Sequence, residues 1–290
     1  MKEFKIGDKD PYIKLIQRTL GETLKINIAA DGDFGSVTAG HLRTWQGKNG
    51  LAQTGTFDGP TAGLMTAYIE RRFLKESDFN DAAVKIGVEV ACVKAVQLVE
   101  SRGSGYLADG RQVILFERHW FFKLLNEKLT KQPNAAKEIC GRLQLSVAAG
   151  QSFDAVLKAH LIEKYGDIYA GTPGGYRGGA AEHDRIERAK AIDLECALQS
   201  ASWGLFQIMG FHFKTLGYNG VRDMVADYDI GERQQLLSFC DFIRADNRLL
   251  SSLKNKDWAT FAKAYNGPAY ATNRYDIKMA NAYLEAKSKP

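Results

Sequence analysis

The sequence predicts a mainly α-helical chain in two unequal parts, a small unit of three short helices followed by a larger helical domain with a minor β element. Three observations lead there. Apolar residues recur at helical spacing along most of the chain. The first 66 or so residues are cut into short segments by glycine-bearing turns, whereas the segments beyond about residue 76 are long. Only the stretch near 111–117 reads as a strand. At 290 residues the chain exceeds one average domain, and 45% hydrophobic with 25% charged residues is a composition that supports a core rather than disorder.

In the first unit, Pro11 suits an opening helical turn, and Ile13, Ile16 and Leu20 recur at helical spacing up to Gly21. Asp31-Gly32-Asp33-Phe34-Gly35-Ser36-Val37-Thr38 follows as a glycine-bearing turn with a Ser/Thr-rich helix entry. A second helix carries Leu42, Trp45 and Gln46 and stops at Asn49-Gly50. The turn theme returns in weaker form as Thr54-Gly55-Thr56-Phe57-Asp58-Gly59-Pro60-Thr61, leading into Leu64, which makes a small internal repeat. The charged run from Glu70 to Asp78 fits a helical or short linker. The expected division is therefore 1–68, a linker at 69–77, and a second domain over 78–290.

Leu15, Gln17 and Leu20, the DGxFGxxT run, Trp45-Gln46, Gly50-Leu51 and the closing Gly55, Gly59, Thr61 and Leu64 together resemble the peptidoglycan-binding module often joined to cell-wall hydrolases. The resemblance covers the whole first unit and implies a bundle of three short helices that holds peptidoglycan on its exposed turns. Asp31, Phe34, Thr38 and Trp45 are the module residues it singles out. The glycines and Phe34 also read simply as turn and core residues.

In the second domain, Val88, Ala91, Cys92, Ala95, Val96 and Val99 mark a helix with one apolar face. Steps of four lead from Cys92 to Val96 to Glu100, so a carboxylate ends the buried stripe. Desolvation there disfavours the ionised form, and the helix C-terminus adds a repulsive partial negative charge. A Glu that holds its proton near neutrality is what protonation of a glycosidic oxygen requires. The plainer reading is a helix-end Glu paired with Arg102 or capping a neighbour.

Further along come Ser202-Trp203-Gly204-Leu205-Phe206-Gln207-Ile208 and Ala264-Tyr265-Asn266-Gly267. With Glu100-Ser101 they resemble, in order, the Glu-Ser, Gly-Leu-x-Gln and Ala-Tyr-Asn series of goose-type lysozymes and lytic transglycosylases. More closely, VESRGSGY, LFERHWFF and SWGLFQIMG resemble the N-acetylmuramidase domain of modular phage endolysins, and that likeness covers nearly all of residues 80–285. It implies a lysozyme-like, mostly helical fold with a cleft between lobes, cleavage of the bond between N-acetylmuramic acid and N-acetylglucosamine, and Glu100 as the catalytic acid. Peptidoglycan is then the partner, with no nucleic acid and no membrane insertion, and a monomer is expected.

Roles can be assigned by chemistry. Gly204 allows close backbone approach, and Gln207 offers donor and acceptor to sugar groups. Tyr265 suits stacking on a sugar or a hydrogen bond near Glu100, and Asn266 suits holding saccharide or orienting helices. Ser101 and Ser202 complete the substrate-binding candidates. Leu205, Phe206 and Ile208 read as core, and Trp203 reads either way. Two residues compete for a second carboxylate: Asp109, on the loop after Glu100, and Glu117, at the end of the strand Gln112 to Phe116. Glu117 is preferred because a strand would aim it from a fixed element, the alternative being a buried pair with Arg118, Arg111 or His119. Lytic transglycosylases manage with one acid, so a partner is not obligatory.

No His-x-x-x-His or Cys/His cluster, nucleophile elbow, phosphate loop or dinucleotide fingerprint is present, so neither metal nor cofactor is expected. The scattered Cys92, Cys140, Cys196 and Cys240 read as buried thiols. A net charge of +5 fits either attraction to an anionic polymer or an ordinary solvated surface. The start MKEFKIGDKDPY lacks a secretory apolar segment, and no apolar run is long enough to span a bilayer. Synthesis in the cytosol is expected, with release to the wall through a holin-type pore implied by the endolysin resemblance.

Overall fold

The structure, a computed structural model, describes residues 2–70, 72–101, 104–107 and 109–288. Three helices, α1 (Pro11–Leu24), α2 (Ser36–Lys48) and α3 (Gly59–Glu70), build the first unit. The Asp10 carboxylate caps α1 by accepting from Tyr12 N, and Pro11 fills a position whose missing N–H leaves nothing unpaired. The helix runs past Gly21 and stops at Lys25, which adopts a left-handed conformation. Ile13, Ile16, Leu20, Phe34, Leu42, Trp45, Phe57 and Met65 close a separate hydrophobic core, while Leu64 points outward.

The internal repeat proves to be a repeated hydrogen-bond device. Gln17, buried on α1, donates to Asp31 Oδ1, Asp33 O and Thr38 Oγ1 and accepts from Gly32 N. Gln46, buried on α2, donates to Thr54 Oγ1, Thr56 O and Thr61 Oγ1 and accepts from Gly55 N. Each buried amide thus satisfies a glycine turn that would otherwise leave polar groups unpaired. Phe34 and Phe57 occupy equivalent buried places in the two turns.

The linker expected at 69–77 is not a free spacer. Helix α3 reaches Glu70, and the chain then docks on the second domain before α4 (Glu76–Ile86) begins. Arg72 is buried, donates to Asp229 O, accepts from Glu232 N through its carbonyl, and lies 4.2 Å from the Tyr106 ring centre. Leu74 N donates to Glu232 Oε2, and Arg72 also pairs with Glu22 of α1 at 3.6 Å.

The second domain continues through α5 (Val90–Ser101), β1 (Ile114–Phe116), α6 (Arg118–Lys131), α7 (Ala135–Arg142), α8 (Phe153–Lys164), α9 (Ala181–Ile192), α10 (Leu194–Gln199), β2 (Ala201–Trp203) and β3 (Ile208–Met209). It closes with α11 (Val221–Ile230), α12 (Glu232–Ala245), α13 (Asn247–Asn255), α14 (Trp258–Asn266) and α15 (Tyr275–Ser288). The strands form one antiparallel sheet in the order β1-β2-β3, with Ile114 opposite Trp203, Phe116 opposite Ala201, and Trp203 opposite Ile208. Helix α5 packs along α15 and buries Cys92, Val93, Ala95 and Val96 in a core shared with the sheet and α12. All four cysteines are buried free thiols. Among the described residues no helix is long and apolar enough to cross a membrane.

Candidate active site

Glu100 lies one residue from the end of α5, where the apolar stripe predicted for that helix meets the surface, and it is half-buried. Burial pushes its carboxyl up to about 7, against the opposing pull of a hydrogen bond from Asn266 Nδ2 to Oε1 at 3.0 Å. Asn266 ends α14, so the helix brings the Ala-Tyr-Asn segment to the acid across 166 residues of chain. Tyr265, beside it, donates its hydroxyl to Phe206 O at 2.7 Å, and its ring stacks on Phe261. Its polar atom is therefore spent inside the protein, tying α14 to the turn between β2 and β3.

That turn is built from side chains as much as backbone. Gly204 has φ +67° and is held by its N–H to Val113 O. Gln207 adopts φ +50°, uncommon for a residue with a side chain. Its amide is fully engaged: Oε1 accepts from Ser202 Oγ at 2.8 Å, and Nε2 donates to Gly204 O and Val113 O. Gln207 and Ser202 are thus brought together, as parts of the turn. Trp203 is buried and donates to Leu198 O, and Leu205, Phe206 and Ile208 are buried as expected. Ser101 closes α5, with its side chain outside the described residues, as is the whole of Arg102.

The two candidate partner carboxylates are each engaged by neighbouring side chains. Asp109 sits at the tip of the loop closed by the Tyr106–Gln112 bridge, where it accepts from Arg111 N and Nε and pairs with Arg111 Nη2 at 2.7 Å. Burial works to raise its pKa, yet the Arg111 hydrogen bonds outweigh it and hold the carboxyl below its ordinary value. A side chain at the neighbouring Gly110 would strike Leu15 and Arg18 of α1, so this tip is a seam between the two units. Glu117 stands at the position before α6 without a side-chain capping bond and accepts from the Tyr176 hydroxyl at 2.7 Å, with His119 Nδ1 3.2 Å from the same oxygen. Its N–H donates to Ser200 O, whereas Val113 O receives Gly204 N and Gln207 Nε2. Four residues separate these levels of the strand, roughly 13 Å at about 3.3 Å per residue. Glu117 therefore stands at the end of the sheet away from the Gln207 turn. Of the neighbouring bases His119 comes nearest to it, while Arg118 turns to the carbonyls of Gly166, Thr172 and Pro173.

In the first unit Phe34, Thr38 and Trp45 are buried, which gives them to the core and not to a ligand surface. Asp31 is exposed, but its Oδ1 is held by Asp33 N and Gln17 Nε2.

Several residues that shape the site carried no local motif. Gln235 on α12, buried, accepts from Leu205 N at 2.6 Å and donates to Tyr228 O, fixing the Gly-Leu-Phe-Gln turn from behind. Glu232, also buried, accepts from Gly105 N and Leu74 N. Glu182 and Arg185 on α9 are an ion pair at 2.7 Å with no exposure on either side. Their i,i+3 spacing was visible, but nothing in it showed that the pair is buried.

The N-acetylmuramidase family model matches residues 89–287, and the peptidoglycan binding domain model matches residues 9–65. The chain belongs to the N-acetylmuramidase family. Its structure is similar to the crystal structure of the Burkholderia AP3 phage endolysin, with 35% identity, a TM-score of 0.62 and 99% of each chain covered. No curated protein matches. The muramidase is accordingly a glycoside hydrolase with an N-terminal peptidoglycan-binding module, and the match places Glu100, Gln207, Tyr265 and Asn266 within the family region.

Proposed function

We propose that this muramidase cleaves the β-1,4 bond between N-acetylmuramic acid and N-acetylglucosamine in peptidoglycan, and that it serves as an endolysin. The observation that carries the reading is the half-buried Glu100, raised to about 7 by burial and oriented by Asn266. A carboxylic acid in that state delivers its proton to the glycosidic oxygen as the C1–O bond breaks. The carboxylate left behind then takes a proton from the water that adds to the oxocarbenium carbon, so the net change is addition of one water across the bond. Asn266 positions the carboxyl, and Tyr265 and Gln207 hold the turn opposite it. Neither Asp109, locked to Arg111, nor Glu117, held by Tyr176, is offered to the reaction in this scheme.

The endolysin role includes synthesis in the host cytosol and passage to the wall through a pore made by another protein. Product mass spectrometry on purified peptidoglycan tests the chemistry. Hydrolysis yields reducing muramic ends carrying an added water, and the Glu100→Gln variant yields none. Anhydro ends would instead assign a transglycosylase reaction to the same acid, and normal lysis by the variant would end the proposal.

A further inference from the structure

We propose that Tyr176, presented by the glycine-rich loop 171–179, forms with Glu117 a distal saccharide subsite that holds the same glycan strand away from the scissile bond. The inference rests on the glycan-cleaving reading of Glu100.

The loop has the composition of a flexible segment, yet half-buried Arg118 and the buried Arg185 and Glu182 fix it. Arg118 donates to Gly166 O, Thr172 O and Pro173 O, and Arg185 donates to Asp167 O and Gly174 O. Glu182 accepts from Arg177 N at 2.6 Å and Gly178 N at 2.9 Å. Gly175 is required where the chain crosses this charge: its φ is +74°, and a Cβ would lie 2.6 Å from Asp167 O and 3.0 Å from Arg185 Nη2. A loop held this tightly presents its side chains without paying much ordering entropy on binding.

What it presents is Tyr176, 47% exposed. The phenol is anchored at 2.7 Å to Glu117 Oε2, and the guanidinium of fully buried Arg185 lies 5.9 Å from the ring centre. The ring is thus backed by protein and otherwise open to solvent. Burial first, then the Glu117 hydrogen bond, pushes the Tyr176 hydroxyl up to about 12, so it stays a donor to Glu117 at any working pH. The C–H face of a pyranose is apolar and rests on the electron-rich face of such a ring. The Glu117 carboxylate alongside can accept from a sugar hydroxyl or N-acetyl N–H.

A line of half-buried rings joins this place to the acid. His119, 3.2 Å from Glu117, precedes Trp120, whose ring lies 4.4 Å from Phe211. Phe211 contacts His212 at 4.5 Å, His212 contacts Phe242 at 5.0 Å, and Phe242 contacts Tyr265 at 5.8 Å, next to the Asn266 that holds Glu100. Packed ring on ring, these side chains link the Glu117 end of the sheet to the helix that carries Asn266.

The test uses the full chain and glycan strands stripped of peptide and sorted by length, comparing Tyr176→Ala, Tyr176→Phe and Glu117→Gln with wild type. Tyr176→Ala should raise KM on long strands by about five- to tenfold with kcat changed less than about twofold, and the penalty should shrink as the strands shorten. Tyr176→Phe, which keeps the ring, should recover most of that affinity. Equal KM for wild type and Tyr176→Ala at every strand length overturns the subsite. So does a collapse of kcat at constant KM in Glu117→Gln, which would place that carboxylate in the chemistry. Binding of the same strands in a Glu100→Gln background reads the subsite without cleavage. Failure of the cleavage reading alone would leave that binding difference intact, and loss of the difference alone would leave cleavage intact.

Discussion

Replacing Glu100 with glutamine should abolish cleavage and, above neutral pH, make the protein more stable. Burial raises the carboxyl from its ordinary 4.5 to about 7, so the fold favours the protonated form. Below about pH 4.5 both folded and unfolded chains carry a neutral acid, and the full stability is present. Between 4.5 and 7 the unfolded chain ionises while the folded one does not, and stability drains away until the folded group ionises as well. At 1.36 kcal/mol per pH unit the loss reaches about 3 kcal/mol above pH 7. Glutamine keeps the acceptor for Asn266 Nδ2 and never ionises, so the variant escapes this loss. Calorimetry should show similar melting temperatures for the two proteins at pH 4.5. At pH 8.5 the variant should lead by about 6–12 °C, at about 2–4 °C per kcal/mol for a domain of this size. Peptidoglycan dye release should fall by about 10²–10⁴ in the variant. In the wild type the same assay should decline as pH rises through about 7, because the acid form is the donor. A melting-temperature difference that is the same at both pH values would refute the account of the buried proton.

Arg185→Met should cost about 3–5 kcal/mol in urea unfolding, because it strands buried Glu182 without its partner. Asp109→Asn should leave kcat within about threefold, since its carboxylate serves the seam; a fall on the scale of a lost general base, about 10² or more, would return it to the chemistry. Gln46→Ala removes the partner of Gly55 N, Thr54, Thr56 O and Thr61, and should destabilise the first unit by about 1–3 kcal/mol in thermal melts, leaving hydrolysis of soluble glycan unchanged.

What could be read from the sequence was whatever repeats along one element or sits in a short contiguous motif. The apolar stripe from Cys92 to Glu100 placed the acid at a helix end, and α5 runs there. The order of the three motifs marked the segments that α14 and the β2–β3 turn bring together around it. Spacing along a chain does not tell which element faces a side chain from far away. Gln207 reads as an exposed sugar ligand until Ser202, Val113 and Gly204 are seen to use its whole amide. Asp109 reads as an active-site loop residue until α1 is found packed beneath its tip. The charged 69–77 run reads as a helical or short linker, yet Arg72 is buried against Asp229 and Tyr106. In each case a polar group counted as free is spent on another part of the protein.

A two-carboxylate mechanism asks the second group to stand either about 5–5.5 Å or about 6.5–9.5 Å from the acid, free to attack or to activate water. Asp109 is held by Arg111 below its ordinary pKa at the seam with α1, and Glu117 is anchored by Tyr176 at the other end of the sheet. Glu100, by contrast, is poised near 7. A group whose pKa matches the working pH gives up a proton and takes one back at similar cost, so it can be the acid for departure of the leaving sugar and the base for the incoming water. In the proposed scheme burial of a single carboxyl would supply both halves of the cycle, and Glu117 would be left to hold substrate rather than to react with it.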